Sequence, residues 1–169
     1  LGVPRIWEKL QQNVVIRMQD ATRFQQWLFG HAMALGQGLS DRRAANRGRL
    51  GLSDRLLEFG FWLVMFRSLK RYLGLDRSRQ RFCGGASVSP ETMRFFDIIG
   101  LPIYQAYGLT ECGGIVFMQT PEHNEIGYTG VAIPSVDYRL AEDGEVLIHS
   151  PGVFKGYLYD AEATNDVIV

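Results

Sequence analysis

Residues 81–107 read RFCGGASVSPETMRFFDIIGLPIYQAY, and their pattern changes from strand to helix and back to strand. Ser89, Pro90 and Glu91 predict the start of the helix, because a serine hydroxyl caps free backbone amides, proline suits the first turn and a carboxylate favours the positive end of the helix dipole. Apolar residues three apart continue the helix as far as Gly100. A strand–helix–strand unit of this length is typical of a parallel sheet, so the sequence predicts an α/β fold.

The second strand of this unit runs into residues 104–114, which read YQAYGLTECGG. Ligands of parallel α/β sheets collect beyond the carboxyl ends of the strands. Tyr107 offers a flat face for a purine, and Gly108 lets a ligand approach the backbone closely. Thr110 offers a hydroxyl to a phosphate oxygen, and Glu111 offers a hard oxygen ligand to Mg²⁺. The run predicts a nucleotide site, although a tight turn without a ligand uses the same glycines.

The first strand also ends in small residues, since residues 84–87 read GGAS. Missing side chains leave room for a planar ring against the backbone. Because the two strands are predicted to be neighbours, we expect the bends at residues 84–87 and 107–111 to flank one nucleotide. The nucleotide hypothesis requires both bends to lie at the same edge of the sheet.

Helical periodicity dominates the amino-terminal half. Apolar residues at three- and four-residue steps after Pro4 predict a helix through about residue 20. A second helix is predicted to end near the glycines of residues 36–38, with His31 interpreted as a buried core histidine rather than a ligand. Residues 40–51 are rich in Arg, Asn and Gly and predict a solvated loop or a short polar helix.

The remaining elements are a third long helix and a β-rich end. The helix is predicted to begin at Ser53, whose hydroxyl can cap it, and residues 59–66 are apolar on nearly all sides. Burial and contact with an anionic membrane both explain that apolar stretch, and we favour burial. Residues 136–148 predict a β-hairpin around the turn at residues 142–144, and residues 166–169 predict a strand.

Composition excludes several classes of protein. The chain has 169 residues, of which 46% are apolar and 21% are charged, as in an ordinary globular domain or a part of one. Its longest strictly apolar run is residues 61–66, well short of the roughly 20 residues that a membrane-spanning helix needs. Cys83 and Cys112 are isolated, so neither a zinc site nor a disulfide framework is predicted, and a reducing cytoplasm is expected.

Charge is balanced overall but differs between the halves. Residues 1–81 hold 15 basic and 6 acidic residues, whereas residues 82–169 hold 3 basic and 12 acidic residues. Attraction between two halves of one fold explains the difference most simply, and an anionic lipid surface or a phosphorylated substrate is the alternative partner. No nucleic-acid-binding motif accompanies the arginines, so we expect no nucleic-acid partner. No pattern indicates an oligomeric state.

Several segments resemble one enzyme family. Residues 107–111 (YGLTE) resemble the Tyr-Gly-x-Thr-Glu motif of the AMP-forming acyl-CoA synthetases, members of the adenylate-forming superfamily. Residues 2–9 (GVPRIWEK) are similar to a segment that long-chain acyl-CoA synthetases carry after their phosphate loop, and residues 84–91 (GGASVSPE) to their Gly-Gly-Ala-Pro-Leu-Ser-Pro-Glu stretch. Residues 127–134 and 144–164 resemble the following blocks. The motifs occur in the family's order along the whole chain.

The resemblance implies a reaction in two parts. A fatty carboxylate attacks the α-phosphate of ATP to form acyl-AMP and pyrophosphate, and the thiol of coenzyme A then displaces AMP. In this reaction Tyr107 would stack on adenine, while Thr110, at the α-phosphate, and Glu111, as the Mg²⁺ ligand, would be the catalytic residues. The nucleotide contacts implied by the resemblance are Gly85, Ala86, Ser87, Gln105, Ala106, Tyr107, Gly108 and Thr110.

Other family motifs have no counterpart in the chain. The phosphate loop, the Thr-Gly-Asp that supplies a ribose-binding aspartate and the mobile C-terminal domain with its lysine would lie before residue 1 and beyond residue 169. We therefore expect residues 1–169 to be a partial AMP-binding domain, incomplete at both ends and inactive alone. Residues 1–80 are expected to be mainly helical, residues 81–125 to hold the strand–helix–strand unit with the nucleotide motif, and residues 126–169 to be β-rich.

The chain departs from the family motifs at two turns, and one further segment bears on the choice of substrate. Ser87 stands where the family often has proline, and Asp160 begins a departure from the usual Asn-Pro, so both turns are expected to differ. The arginine-rich residues 20–80 resemble an insertion of long-chain synthetases, which favours a fatty acid as substrate. The aromatic residues of 59–66 and residues 115–117 are candidate walls of an acyl tunnel, and core packing explains them equally well.

Two other functions stay open. The chain could belong to a synthetase for a different carboxylic acid. It could also be a non-catalytic remnant of the fold that binds lipid or protein through its basic helical half, with peripheral membrane contact.

Overall fold

The computed structural model describes residues 1–45, 51–61 and 66–168. Its helices are α1 Pro4–Gln19, α2 Arg23–Ala45, α3 Leu52–Phe61, α4 Arg67–Tyr72, α5 Pro90–Ile98 and α6 Ala161–Val167. Its strands are β1 Phe82–Cys83, β2 Tyr104–Leu109, β3 Gly114–Met118, β4 Val131–Ala132, β5 Asp137–Leu140 and β6 Val146–His149. This mixture confirms the predicted α/β class.

The main sheet has the strand order β1-β2-β3-β4. β1 and β2 are parallel, with Phe82 opposite Tyr104 and Cys83 opposite Gln105, which confirms the predicted pair. β3 and β4 add antiparallel neighbours that the sequence analysis did not predict, so the sheet is mixed. The predicted hairpin is confirmed as the antiparallel pair β5–β6, which forms a second sheet.

α5 joins the two parallel strands and begins where its capping residues predict. The hydroxyl of Ser89 accepts a hydrogen bond of 3.2 Å from the amide of Thr92, and Pro90 opens the helix. The hydroxyl of Thr92 donates to Oε1 of Gln11 at 2.7 Å, which ties α5 to α1. Phe96 is fully buried, and local capping and core packing therefore agree at this helix.

The core lies between α1, α2 and α5 on one side and the β1–β2 pair on the other. The ring of Trp7 meets the ring of Phe96 edge to face, with centroids 5.4 Å apart. The fully buried side chains include, from largest to smallest, Phe96, Met93, Ile99, Leu101, Ile103, Gln119, Val14, Val116 and Cys83. This packing fixes α5 beneath the strands that it connects.

α2 continues through the glycines that were predicted to end it. A Cβ atom on Gly36 would lie 2.7 Å from the carbonyl oxygen of Ile98, so the glycine permits close packing of α2 on α5. The helix extends to Ala45, and the hydroxyl of Ser40 donates to the carboxylate of Asp97, both side chains being buried. Residues 40–45 are thus helical, as the alternative of a polar helix predicted, and Asp41 and Arg42 are exposed; the prediction is wrong in that these residues continue α2 and that Ser40 is buried. Residues 46–50 lie outside the described residues.

Two local predictions about helical residues are also wrong. His31 is exposed rather than buried, because it lies on the outward face of α2. Its ring is tilted by 41° against the Trp27 ring, with centroids 4.2 Å apart, and its Nδ1 lies 2.9 Å from the Trp27 carbonyl oxygen. α3 begins at Leu52, so Ser53 lies within the helix instead of capping it.

The predicted burial of the apolar residues 59–66 holds for one of the described residues and fails for another. Phe66 is buried as predicted, whereas the side chain of Phe59 is 59% exposed. Residues 62–65 lie outside the described residues. None of the helices in the described ranges combines the length and the hydropathy that a bilayer-spanning segment requires.

The carboxyl end is helical rather than the strand predicted for residues 166–169. α6 includes Asp166 and Val167, and residue 169 lies outside the described residues. Oδ1 of Asp160 accepts a hydrogen bond of 3.0 Å from the amide of Ala163. Asp160 thus caps α6, which explains how a helix begins at the turn that departs from the family pattern.

Cys83 gives a prediction for the stability of the core. Burial, and secondarily the charge of Glu8, raises the pKa of the Cys83 thiol from 9.0 to about 11. The Cys83 thiol loses its proton near pH 9 in the unfolded chain and near pH 11 in the folded chain. The protonated thiol therefore contributes its full stabilisation below pH 9, and this contribution is lost as the pH rises to about 11. We expect urea unfolding to show stability falling across this window, with a shallower fall in Cys83→Ala than in Cys112→Ala. Equal slopes in the two variants would contradict the prediction.

Candidate functional site

The parallel pairing of β1 and β2 brings the two predicted bends to the same edge of the sheet. Cys83 lies opposite Gln105, and the next residue, Gly84, passes so close to β2 that a Cβ atom there would lie 3.2 Å from the carbonyl oxygen of Ala106. Gly85 has a φ of 84°, a conformation that glycine adopts without strain. Residues 84–87 and 107–111 are therefore neighbours, which is the geometric condition that the nucleotide hypothesis requires.

The candidate nucleotide contacts divide into supporting and exposed residues. Gln105 and Ala106 are buried within β2. The amide of Gln105 donates to Oε1 of the fully buried Gln119 at 2.6 Å, and the amide of Gln119 donates to the Gln105 carbonyl at 2.9 Å. The exposed candidates are Gly85, Ala86, Ser87, Tyr107, Gly108 and Thr110. The buried residues thus hold the strand in place, and the exposed ones are available to a ligand.

Gly108 allows β2 to bend back against β3. The register between the strands shifts between Tyr107 and Gly108, which marks a bulge. A Cβ atom on Gly108 would lie 1.7 Å from the carbonyl oxygen of Gly114, a distance that no side chain can occupy. The chain then makes the 3₁₀ turn Thr110–Cys112, which ends at Gly113 with a φ of 74°. The backbone that carries Thr110 and Glu111 is consequently fixed by steric contact.

Residues distant in sequence also hold Glu111. The amide of Phe154 donates to the Glu111 carbonyl oxygen at 2.8 Å, and a Cβ atom on Gly152 would lie 2.8 Å from the Cys112 carbonyl oxygen. The hydroxyl of Tyr157 donates to Oε1 of Glu111 at 2.7 Å. This hydrogen bond lowers the pKa of the Glu111 carboxyl and raises the pKa of Tyr157. The carboxylate is therefore held in its charged form.

Thr164 connects the first residues of α6 to Tyr157. Its hydroxyl accepts a hydrogen bond of 2.9 Å from the Tyr157 amide and donates one of 2.7 Å to the Asp160 carbonyl oxygen. A Cβ atom on Gly156 would lie 2.6 Å from the Thr164 methyl carbon. Sequence reasoning matched these residues to family blocks but gave them no role, because the contact of Tyr157 with Glu111 crosses 46 positions of the chain and Thr164 acts only through Tyr157.

The carboxylate of Glu111 could supply one of the ligands of a metal ion, but not a whole coordination sphere. Within the described ranges, no group of three or more His, Cys, Asp or Glu side chains could hold a metal ion. Nucleotide-bound Mg²⁺ needs only one or two carboxylates, since phosphate oxygens and water complete its coordination. Tyr157 uses one lone pair of Glu111, and a carboxylate retains further acceptor sites. The donor set therefore fits a metal that arrives with phosphates.

A cleft of about 790 Å³ lies between the Glu111 turn, the β5–β6 hairpin and the end of α6. Its walls are largely apolar and include Leu109, Tyr138, Ile148, Phe154 and Tyr157. Of the predicted tunnel walls, Val116 and Phe117 are buried in the sheet rather than lining this cleft, in agreement with core packing.

Comparison with known proteins gives consistent matches. Residues 1–158 match the family model described as AMP-binding enzyme. The chain is 31% identical over 166 residues to the long-chain-fatty-acid–CoA ligase FadD15 of Mycobacterium bovis, covering 98% of this chain and 27% of that protein. It is 27% identical over 173 residues to the long-chain-fatty-acid–CoA ligase ACSBG2 of Rattus norvegicus, covering 99% of this chain and 25% of that protein. The chain thus spans about a quarter of the length of these curated relatives.

A solved structure shares the fold. It is a malonyl-CoA ligase in a ternary product complex with methylmalonyl-CoA and AMP bound. The match has a TM-score of 0.51 at 25% sequence identity, covering 61% of this chain and 24% of that chain.

The close contact at Gly108 gives a prediction. We expect Gly108→Ala to lower the free energy of unfolding by about 1–3 kcal/mol or more, because the added methyl group displaces β3 or the turn. Gly38→Ala is the matched control, since nothing lies within 4 Å of that position in α2, and it should be neutral or slightly stabilising. Urea unfolding measures both variants; an unchanged midpoint in Gly108→Ala would contradict the geometry.

Proposed function

The chain belongs to the AMP-binding enzyme family of adenylate-forming ligases, and from this membership we propose that it carries the adenine-nucleotide site of a fatty-acid–CoA ligase. The fatty carboxylate attacks the α-phosphate of ATP and pyrophosphate leaves, which gives acyl-AMP. The thiol of coenzyme A then attacks the acyl carbonyl, loses its proton and displaces AMP. The observation that carries this proposal is the meeting of residues 84–87 and 107–111 at one sheet edge, next to a fixed Glu111.

Each exposed residue of the two bends has a role in this proposal. Tyr107 supplies a partly exposed ring on which adenine stacks. Gly85 and Ala86 present little side chain, so the base can lie against the first bend. The hydroxyl of Thr110 donates to an oxygen of the α-phosphate, where negative charge builds up during the attack.

Glu111 is the residue that would hold Mg²⁺. When it is bound with ATP, the ion neutralises phosphate charge. The protein contributes a carboxylate that the Tyr157 hydroxyl keeps ionised and that Phe154 and Tyr157 keep in place. The reaction needs no covalent enzyme intermediate, so positioning and charge stabilisation account for the residue types at the site.

A long-chain fatty acid is the proposed acid substrate. Both curated relatives described above carry the name long-chain-fatty-acid–CoA ligase. The helical residues that precede the nucleotide motif, α2 and α3, correspond to the arginine-rich stretch on which the resemblance to long-chain synthetases rests. A different carboxylic acid is the alternative within the same reaction class.

Acid-dependent ATP–pyrophosphate exchange by the product of the full reading frame that contains these residues tests the proposal. We expect exchange with palmitate to exceed exchange with hexanoate, benzoate or malonate. Glu111→Gln should reduce the exchange by on the order of 100-fold or more, since it replaces a charged ligand of the metal ion by a neutral amide. Thr110→Val should also reduce it, because the variant keeps the shape and loses the donor.

Glu122→Gln is the matched control, because Glu122 is an exposed carboxylate outside both bends. Wild-type exchange in Glu111→Gln would remove Glu111 from the metal. Preference for a short or aromatic acid would replace the fatty acid in the proposal and leave the adenylation site in place.

The outward face of α2 supports a second, membrane-related function. Phe24, Trp27 and Leu35 are 68%, 57% and 48% exposed, and with His31 they lie three or four residues apart on one stripe. The rings of Phe24 and Trp27 stack at 6.1 Å. The amino-terminal half that contains α2 is basic, and exposed aromatic side chains in a basic region suit contact with an anionic membrane surface. We propose peripheral contact of a cytoplasmic protein with such a surface through this stripe.

Vesicle binding tests the stripe. We expect Trp27→Ala to weaken binding to phosphatidylglycerol vesicles about tenfold, because the indole is the largest apolar group of the stripe. Tyr128→Ala is the control, since Tyr128 is a 65% exposed aromatic residue outside α2. Sedimentation with vesicles measures both. Equal binding to neutral phosphatidylcholine vesicles, or no change in Trp27→Ala, would exclude the contact.

A further inference from the structure

Residues 152–164 contact the Glu111 turn at both its main chain and its side chain. We infer that Tyr157 is a positioning residue for the Glu111 carboxylate, and that Thr164 positions Tyr157. The inference rests on the proposed function, because it concerns how the chain presents Glu111 to a metal–nucleotide complex. We call residues 152–164 the brace.

The side-chain contact is direct. The Tyr157 hydroxyl donates to Oε1 of Glu111 at 2.7 Å, and a hydrogen bond to a charged acceptor is among the stronger kinds. The Tyr157 ring packs edge to face on the ring of Phe154, with centroids 4.9 Å apart. Tyr157 therefore cannot rotate freely, and its hydroxyl restricts the rotation of a carboxylate that otherwise faces solvent.

The main-chain contacts fix the same residue from the same segment. The amide of Phe154 donates to the Glu111 carbonyl oxygen at 2.8 Å. Gly152 lies against the carbonyl oxygen of Cys112, where a Cβ atom would approach to 2.8 Å. Because backbone and carboxylate are both held by the brace, the position of Glu111 relative to β2 depends on residues more than 40 positions away.

Thr164 holds Tyr157 in turn. The Thr164 hydroxyl accepts from the amide of Tyr157 and donates to the carbonyl of Asp160, at 2.9 Å and 2.7 Å. Asp160 also caps α6 through the amide of Ala163. The first turn of a helix is thereby connected, through one hydroxyl, to the residue that contacts Glu111.

Pre-positioning of this kind has a thermodynamic consequence. A free glutamate loses rotational freedom when it binds a metal, and that loss weakens binding. A carboxylate already oriented by Tyr157 loses less. The brace should therefore strengthen binding of the metal-bound nucleotide and leave binding of the metal-free nucleotide unchanged. A contact that only stabilises the fold would alter the binding of both nucleotide forms or of neither.

The test compares affinity for Mn²⁺–ATP, followed by paramagnetic resonance, with affinity for ATP in EDTA, using the product of the full reading frame without acid or coenzyme A. We expect Tyr157→Phe to weaken Mn²⁺–ATP binding about fivefold, because the carboxylate loses its preset orientation but keeps its oxygen ligands, and to leave metal-free ATP binding unchanged. Tyr159→Phe is the matched control, because Tyr159 is in the brace and is 98% exposed. Thr164→Val should resemble Tyr157→Phe, and Thr164→Ser should resemble the wild type.

A double-variant cycle and hydrogen exchange complete the test. In Glu111→Gln, adding Tyr157→Phe should cause no further loss of Mn²⁺–ATP affinity, because the two residues act together. The Phe154 amide should exchange faster in Tyr157→Phe. If Glu111→Gln weakens Mn²⁺–ATP binding and Tyr157→Phe does not, or if the two losses are additive, the positioning role is wrong and the proposed function stands. If Glu111→Gln has no effect, Glu111 does not hold the metal, and that part of the proposed function fails together with the inference.

Discussion

The parallel pairing of β1 with β2 is the constraint on which the rest of the structure depends. β1 has only two residues, Phe82 and Cys83. The pair is stabilised by α5, which connects its strands and buries Phe96, and by the bridge of Gly2 to Cys83. The register that puts Cys83 opposite Gln105 also decides where the chain can bend. A shift of β1 by one residue would turn the buried Cys83 side chain to the other face of the sheet and move Gly84 away from Ala106.

The Glu111 turn is fixed from two independent directions. On the sheet side, Gly108 contacts Gly114 at a distance that excludes any side chain. On the other side, Phe154 and Tyr157 bind the main chain and the carboxylate of Glu111. A site for phosphates and a metal benefits from such rigidity, because the donor geometry is then set before the ligand binds. This arrangement orients the Glu111 carboxylate before any ligand binds, as the proposed metal role requires.

Predictions made from neighbouring residues were the most successful. The start of α5 at Pro90 depends on the Ser89 hydroxyl and the Thr92 amide, three residues apart, and the β5–β6 hairpin depends on a short turn. Predictions failed where a distant contact outweighed local preference. The glycines of residues 36–38 predict a helix stop, but the missing side chain of Gly36 lets α2 pack on Ile98, and that packing stabilises the continued helix.

The sequence by itself determined the α/β class, the parallel unit, the order of the family motifs and the residue types of the two bends, because capping, periodicity and strand-end glycines act over a few residues. The parallel unit also predicts that residues 84–87 adjoin residues 107–111, as the pairing of β1 with β2 bears out. Only the tertiary structure decided that Tyr157 reaches Glu111 and that Thr164 holds Tyr157. The physical reason is that hydrogen bonds and van der Waals contacts act over a few ångströms in space. Which distant residues come that close depends on how α5 and the hairpin pack, and no local pattern encodes it.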